Sequence, residues 1–277
     1  MEIITSRQNP LVKTVAALTE KKKRKETGCF RLDGKKLVAE AIQAKIALSA
    51  ILLRTDAVER FSSLCEAAVE ADLVLAERVL SVSDSVFDRL TEEKSPEGII
   101  AVAYMPKELH ATARPEALAA LVGHSERLLL AESLRDPGNL GTVMRSCAAL
   151  GIDRLVLSDD CADLYSPKTV RAAMGAIFRL PTVTVAAEDF AAAVSALRAE
   201  GRHVYATALH REAKLIGSWT LDVGDCFVIG NEGHGLSQDV IEACDACALI
   251  PMREDSESLN AAAAAAICIW ETVRAQS

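Results

Sequence analysis

No apolar run in the 277-residue chain approaches the roughly 20 residues that a bilayer-spanning helix needs. The opening "MEIITSRQNP" also lacks the basic-then-apolar order of a secretory signal. These absences exclude a helical membrane protein and predict a soluble, cytoplasmic one. The chain has no "GK[ST]" phosphate loop and no "GxGxxG" spacing, which argues against a nucleotide triphosphatase or a Rossmann dehydrogenase. Repeats of solenoid length are missing, and low complexity is confined to one alanine run. The eight cysteines form no dense framework, and several sit inside apolar stretches, so disulfides are not expected. Cys244 and Cys247 make the only CxxC. With no second pair and no nearby ligand histidines, they are expected to be buried thiols, and no metal is expected.

Half of the residues are hydrophobic, and this length suits two domains with sizeable cores. The net charge of −8 hides an asymmetry. Residues 1–45 carry 11 Lys or Arg against 5 Asp or Glu, a balance of +6, whereas the remainder carries 20 against 34. The run "EKKKRKE" from Glu20 to Glu26 reads equally well as a solvated helix face or as a phosphate-contacting patch.

Helix-like and strand-like segments alternate through residues 1–105, predicting a small α/β domain. Prolines and polar residues over 106–123 read as a linker. In 124–277, short buried-strand runs ("RLLLAES", "RLVLSDD", "LPTVTV", "HVYATAL", "CFVIGNE", "ACALIPM") alternate with helix-length segments. That pattern predicts a parallel sheet covered on both faces, with ligands at the carboxyl ends of its strands.

Three loops after predicted strands hold unusual residues. In "RDPGNLGTVMR", Asp136 to Asn139 make a turn, and Arg145 lies about two helical turns further on. Asn139 alone would read as a helix cap and Arg145 as a solvated residue. In "FVIGNEGHGLS", Gly230, Gly233 and Gly235 punctuate a turn around Glu232, where backbone can come close to a ligand or simply turn tightly. His234 in that turn reads as an exposed filler or a substrate contact. In "IPMREDSESLNAAAAAA", Ser258 and Asn260 suit a helix start, and the alanines Ala261–Ala266 suit a helix that passes close to other chain segments.

Taken in order, these loops resemble the three motifs of the SpoU-type (TrmH-like) RNA ribose 2'-O-methyltransferases of the SPOUT superfamily. The first match is Asn139, Gly141 and Arg145; the second is Gly230, Glu232 and Gly233; the third is Ile250, Pro251, Met252, Ser258, Leu259 and Asn260. The likeness extends over 126–274. More weakly, the N-terminal region resembles the small α/β substrate-binding domain that precedes the catalytic domain in this family. Ala173 stands where many relatives have a serine, so no polar role is expected there.

The resemblance implies an α/β fold whose C-terminal parallel-sheet domain is tied in a deep trefoil knot that forms the S-adenosyl-L-methionine pocket. By analogy, Thr207, Gly230, Asn231, Gly233, Ile250, Met252 and Leu259 would hold the cofactor. Arg145 would grip a phosphate beside the target ribose, and Asn139, Glu232, Ser258 and Asn260 would complete the catalytic set. RNA would meet Arg7, Lys21, Lys22, Lys23, Arg24 and Lys35. The implied substrate is structured RNA, foremost rRNA, with tRNA or a non-catalytic RNA-binding role as alternatives. A homodimer through the C-terminal domain is implied as well.

Overall fold

The computed structural model describes residues 3–91, 95–208, 212–218, 220–253 and 258–276. They fall into two compact units, Met1–Pro106 with Asp163–Phe178, and Lys107–Ala162 with Arg179–Ser277.

The first unit runs β1 (Ile3–Ile4), α1 (Pro10–Ala17), α2 (Lys21–Thr27), β2 (Cys29–Asp33), α3 (Lys35–Gln43), β3 (Leu48–Arg54), α4 (Ser62–Glu70), β4 (Val79–Val82), α5 (Asp84–Leu90) and β5 (Ile99–Tyr104). Its sheet has the order β1-β4-β3-β5-β2, in which β1, β4 and β3 are parallel and β5 is antiparallel to both its neighbours. Helix α1 starts where Pro10 follows Asn9, whose side chain accepts the Leu11 N–H at 2.9 Å. The spacing of Val12, Val15 and Leu18 then puts one apolar face against Leu52, Ile100 and Phe87.

One expected RNA contact is corrected here. Arg24 is only 3% exposed, and its guanidinium donates to the carbonyls of Leu18 (2.8 Å) and Thr19 (2.7 Å) and to Asp163 (2.8 Å). It is a buried structural cation: α2 has no apolar face, and it turns this one of its five consecutive basic residues inward, where two carbonyls and a carboxylate accept its donors. The segment Asp163–Phe178 packs within this same unit: Tyr165 sits 4.8 Å from the Phe30 ring, and Arg171 lies 3.7 Å from Asp33.

The second unit holds β6 (His110–Thr112), α6 (Pro115–Leu121), β7 (Leu128–Ala131), α7 (Pro137–Leu150) and β8 (Arg154–Ser158). In sequence there follow α8 (Pro167–Ala173), which belongs to the first unit, and then β9 (Thr182–Val185), α9 (Phe190–Ala199), β10 (Val204–Thr207), β11 (Lys214–Leu215), β12 (Cys226–Ile229), α10 (Gln238–Ala243), β13 (Ala246–Leu249) and α11 (Ala261–Ala275). All eight strands are parallel, in the order β11-β13-β10-β12-β7-β8-β9-β6. Strands β7 and β12 are buried along their whole length, as a sheet covered on both faces requires. Helices α6 and α10 pack against α9, and α7 packs against α11.

The stretch read as a linker, 106–123, instead contributes β6 and α6 to this unit. β6 pairs with β9 (His110 opposite Thr182), and Pro115 starts α6 rather than breaking a helix.

From β7 the chain builds outward through β8 and β9 on one side, and β12, β10 and β13 lie on the other. The order therefore reverses between β7 and β12, which are hydrogen-bonded neighbours. In open parallel sheets a crevice forms at such a point, outside the carboxyl ends of the strands.

Candidate active site

Pairing of Ile229 with Ala131 brings the loop after β12 beside the loop after β7. Glu232 in the first of these reaches into the second. One carboxylate oxygen accepts the Asp136 N–H (3.1 Å) and the Asn139 side-chain amide (3.0 Å), and the other accepts the Arg135 N–H (3.2 Å). Partial burial alone would push this carboxyl up, but the Asn139 amide and the backbone N–H groups outweigh it and hold Glu232 below its ordinary value. The Asn139 side-chain oxygen in turn accepts the Asn260 amide at 3.0 Å, while the Asn260 oxygen caps α11 by accepting the Ala262 (2.9 Å) and Ala263 (3.3 Å) N–H groups. A continuous hydrogen-bonded line thus joins the three motif loops. Asn139 and Asn260 are caps or cap neighbours, as each would be when read singly, and they are also partners 121 positions apart.

Beside this line lies a cavity of about 520 Å³, within the size range of small-molecule sites. Its lining includes all seven residues expected to hold the cofactor: Thr207, Gly230, Asn231, Gly233, Ile250, Met252 and Leu259. Glu232, His234, Ser258, Ala261 and Ala264 line it too. Apolar walls from Ile229, Leu236, Ile241, Ile250 and Met252 suit a flat purine, and polar groups at one rim suit a ribose or an amino acid. The glycine turn is closely built. A Cβ on Gly230 would lie 2.3 Å from the Gly235 carbonyl carbon and 2.5 Å from the Leu236 nitrogen, so only glycine lets these backbones pass. Asn231 closes the turn through paired backbone bonds with Gly235 (2.9 and 3.0 Å), and its side chain binds the Ser133 carbonyl (2.8 Å) and the N–H groups of Gly233 and His234. These residues fit a bound S-adenosylmethionine. Alanine explains the closing helix: Ala262 and Ala265 are buried while Ala261 and Ala264 face the cavity.

Arg145 is not part of this line. It is exposed on α7, does not line the cavity, and makes no hydrogen bond or ion pair with any described residue. Glu232 holds Asn139 and the turn at 135–136 rather than Arg145. Ser258 is exposed at the cavity rim, and residues 254–257 of the third motif lie outside the described residues. In the first unit Lys21, Lys22 and Lys35 are exposed, Lys23 pairs with Glu26 at 3.3 Å, and the Arg7 Nε donates to the Ser85 carbonyl at 3.0 Å. Cys244 and Cys247 are buried, and burial pushes the Cys244 thiol up to about 12, which suits a neutral core residue. Two features went unread in the sequence. Buried Glu132 accepts both the N–H (2.8 Å) and the hydroxyl (2.6 Å) of Ser237 and anchors the start of α10, and Ser133, Arg135 and Asp160 form a cluster beside Glu232. A charged residue at the end of a buried strand was the available signal for the first.

A parallel α/β sheet with a glycine-walled cavity at the carboxyl ends of β10, β12 and β13, flanked by a fixed carboxylate and two amides, is the class of site that holds a small organic ligand or cofactor. Comparison with known proteins specifies which kind. Residues 126–270 match the SpoU rRNA methylase family, and residues 9–101 match the MRM3-like substrate binding domain. The chain is 34% identical over 275 residues to the 23S rRNA (guanosine(2553)-2'-O)-methyltransferase RlmP of Bacillus subtilis, covering 98% of each. It is 29% identical over 286 residues to the 23S rRNA (uridine(2479)-2'-O)-methyltransferase of Streptomyces viridochromogenes, covering 98% of this chain and 91% of that one. The crystal structure of an AdoMet-bound rRNA methyltransferase from Sinorhizobium meliloti superposes with a TM-score of 0.82 at 29% identity, over 99% of this chain and 97% of that one. The chain belongs to the SpoU rRNA methylase family, and S-adenosylmethionine is its cofactor.

Proposed function

We propose that the protein transfers the methyl group of S-adenosylmethionine to a ribose 2'-hydroxyl of 23S rRNA, the substrate type named for the Bacillus and Streptomyces relatives. The observation that carries this reading is the hydrogen-bonded meeting of the three motif loops beside a cavity at the carboxyl ends of β10, β12 and β13. The cofactor supplies an activated methyl on a cationic sulfur, so the protein's task is to align a weak nucleophile and stabilise the charge that develops on it. The Glu232–Asn139–Asn260 line fixes the rim where the ribose enters. Arg145 offers guanidinium donors with no partner among the described residues, suited to grip the phosphate next to that ribose and stabilise the forming alkoxide.

Its position outside the cavity supports a site completed by a second copy of the chain. So does the face that α11 presents beside α7, where Ile267 and Trp270 are 37% and 56% exposed. The buried alanines of α11 support the close threading of a trefoil knot. The N-terminal region, residues 1–105, whose first 45 residues carry a net +6 and expose Lys21, Lys22 and Lys35, is the RNA clamp, and the protein works in the cytoplasm.

The test is transfer of labelled methyl to 23S rRNA isolated from cells that lack the gene, with the modified nucleotide mapped and a guanosine examined first. Arg145→Ala should reduce transfer by about 1,000-fold while leaving S-adenosylmethionine binding, measured by calorimetry, nearly unchanged. Near-normal turnover in this variant would overturn the assigned role, and transfer to tRNA alone would overturn the substrate.

A further inference from the structure

At the end of β7, Ser133 takes a φ of 52°, in the left-handed region that a serine enters only at a cost. Several contacts hold it there. Its N–H donates to the Ser158 hydroxyl (2.7 Å), its own hydroxyl donates to Asp160 (2.6 Å), and its carbonyl accepts the Asn231 amide (2.8 Å). The consequence appears two residues on. The Arg135 N–H meets Glu232, while the Arg135 side chain is caught by Asp160, with Nη2 2.7 Å from the carboxylate.

Asp160 is itself locked. It accepts hydroxyls from Ser133 and Ser158, both at 2.6 Å, and although burial would raise its carboxyl, these bonds and Arg135 hold it below the ordinary value. The Arg135 side chain is nevertheless 63% exposed, and its Nε and Nη1 have no partner among the described residues. A surface arginine samples many rotamers, and ordering it on a ligand is costly. This one is already ordered, with unused donors facing solvent, on the turn that binds Glu232.

We infer that Arg135 is an RNA-contacting residue whose free guanidinium N–H groups take a phosphate of the substrate strand at the methylation site, and that Asp160 and Ser133 are positioning residues that aim it. This rests on the rRNA methyltransferase reading and adds a phosphate contact distinct from Arg145, which stands unanchored on α7. A phosphate fits better than a cationic or neutral ligand, because Arg135 offers only donors and carries a charge that Asp160 engages at one nitrogen.

The experiment measures binding of a 23S rRNA transcript by fluorescence anisotropy over roughly 50 to 300 mM salt, with turnover and S-adenosylmethionine affinity determined in parallel. Arg135→Gln should weaken RNA binding about tenfold and lower the salt slope by about one, with cofactor affinity kept within about twofold. Arg135→Lys should restore the slope. Asp160→Asn removes a negative charge from the RNA face, so binding should not weaken, but kcat should fall about tenfold as Arg135 loses its aim. An unchanged salt slope in Arg135→Gln overturns the contact, and an unchanged kcat in Asp160→Asn overturns the positioning role. A parent protein that methylates no RNA yet shows the Arg135-dependent slope would sink the methyltransferase reading and leave this contact standing. One that methylates rRNA with an Arg135-independent slope would do the reverse.

Discussion

Two regions fix polar and charged groups and put them to opposite uses: the core of the first unit, and the cavity rim of the second, whose own core also buries Glu132, Arg202, Asp225 and Glu271. In the first, Arg24, Arg31 and Asp33 are each less than 10% exposed and are consumed internally: Arg24 by two carbonyls and Asp163, Arg31 by Asp33 at 2.9 Å. In the second, the charged Glu232 and Arg135 and the neutral amide of Asn260 are exposed, and loops that share no strand order them beside a cavity. A buried charge with all its partners inside is committed to the fold, whereas a held but exposed one is available to a ligand. The formal charge of a segment does not separate the two cases. Arg24 lies amid the lysines of α2 and does none of their solvent-facing work.

The strongest way to break this contrast is at the glycine turn. Gly230→Ala puts a methyl inside contact distance of the Gly235 and Leu236 backbone, so cofactor binding should weaken by about 100-fold or more, while RNA binding by the lysines of the first unit falls by less than about threefold. Calorimetry with S-adenosylmethionine and anisotropy with RNA report the two separately, and parallel losses would show that the units are not functionally separable.

Next in size is the buried pair. Arg24→Ala leaves Asp163 and two carbonyls without their donor and should cost about 3 kcal/mol in urea unfolding. Lys22→Ala, two residues away on the exposed face of the same helix, should stay within about 0.5 kcal/mol and instead reduce RNA affinity.

The smallest expected effect is a pH dependence of the second unit. Burial lowers His110 on β6 to about 4, the Leu180 backbone bond opposing this only in part. Its contribution is therefore fully present above the unfolded value near pH 6.5 and is lost as pH falls toward 4, by on the order of 2–3 kcal/mol. His110→Gln should flatten that slope in thermal melts, and an unchanged slope would place the acid sensitivity elsewhere.

Much of the site could be read from the residues. Glycines and a carboxylate after an apolar run announce a close-built loop, and an asparagine before six alanines announces a capped helix that passes near its neighbours. Fold class was equally accessible, because β7 and β12 are apolar at every position and only a doubly covered sheet buries both faces. Less accessible was the fate of 106–123, where prolines suggested a linker, although proline is as much at home in the first turn of a helix, as Pro115 is. The membership of Asp163–Phe178 in the first unit was not legible at all, since its contacts with Arg24, Phe30 and Asp33 join positions more than 130 apart.

The sequence by itself determined which chemistry is present: a carboxylate, amides, glycines and arginines, each placed just after a strand or at a helix mouth, because those roles depend on local backbone geometry and hydrogen-bonding capacity. Tertiary structure alone decided which of them meet. The pairing of β7 with β12 set Glu232 against Asn139, while packing within each unit buried Arg24 in the first and left Arg135 in solvent in the second, because burial and long-range pairing depend on how whole elements pack.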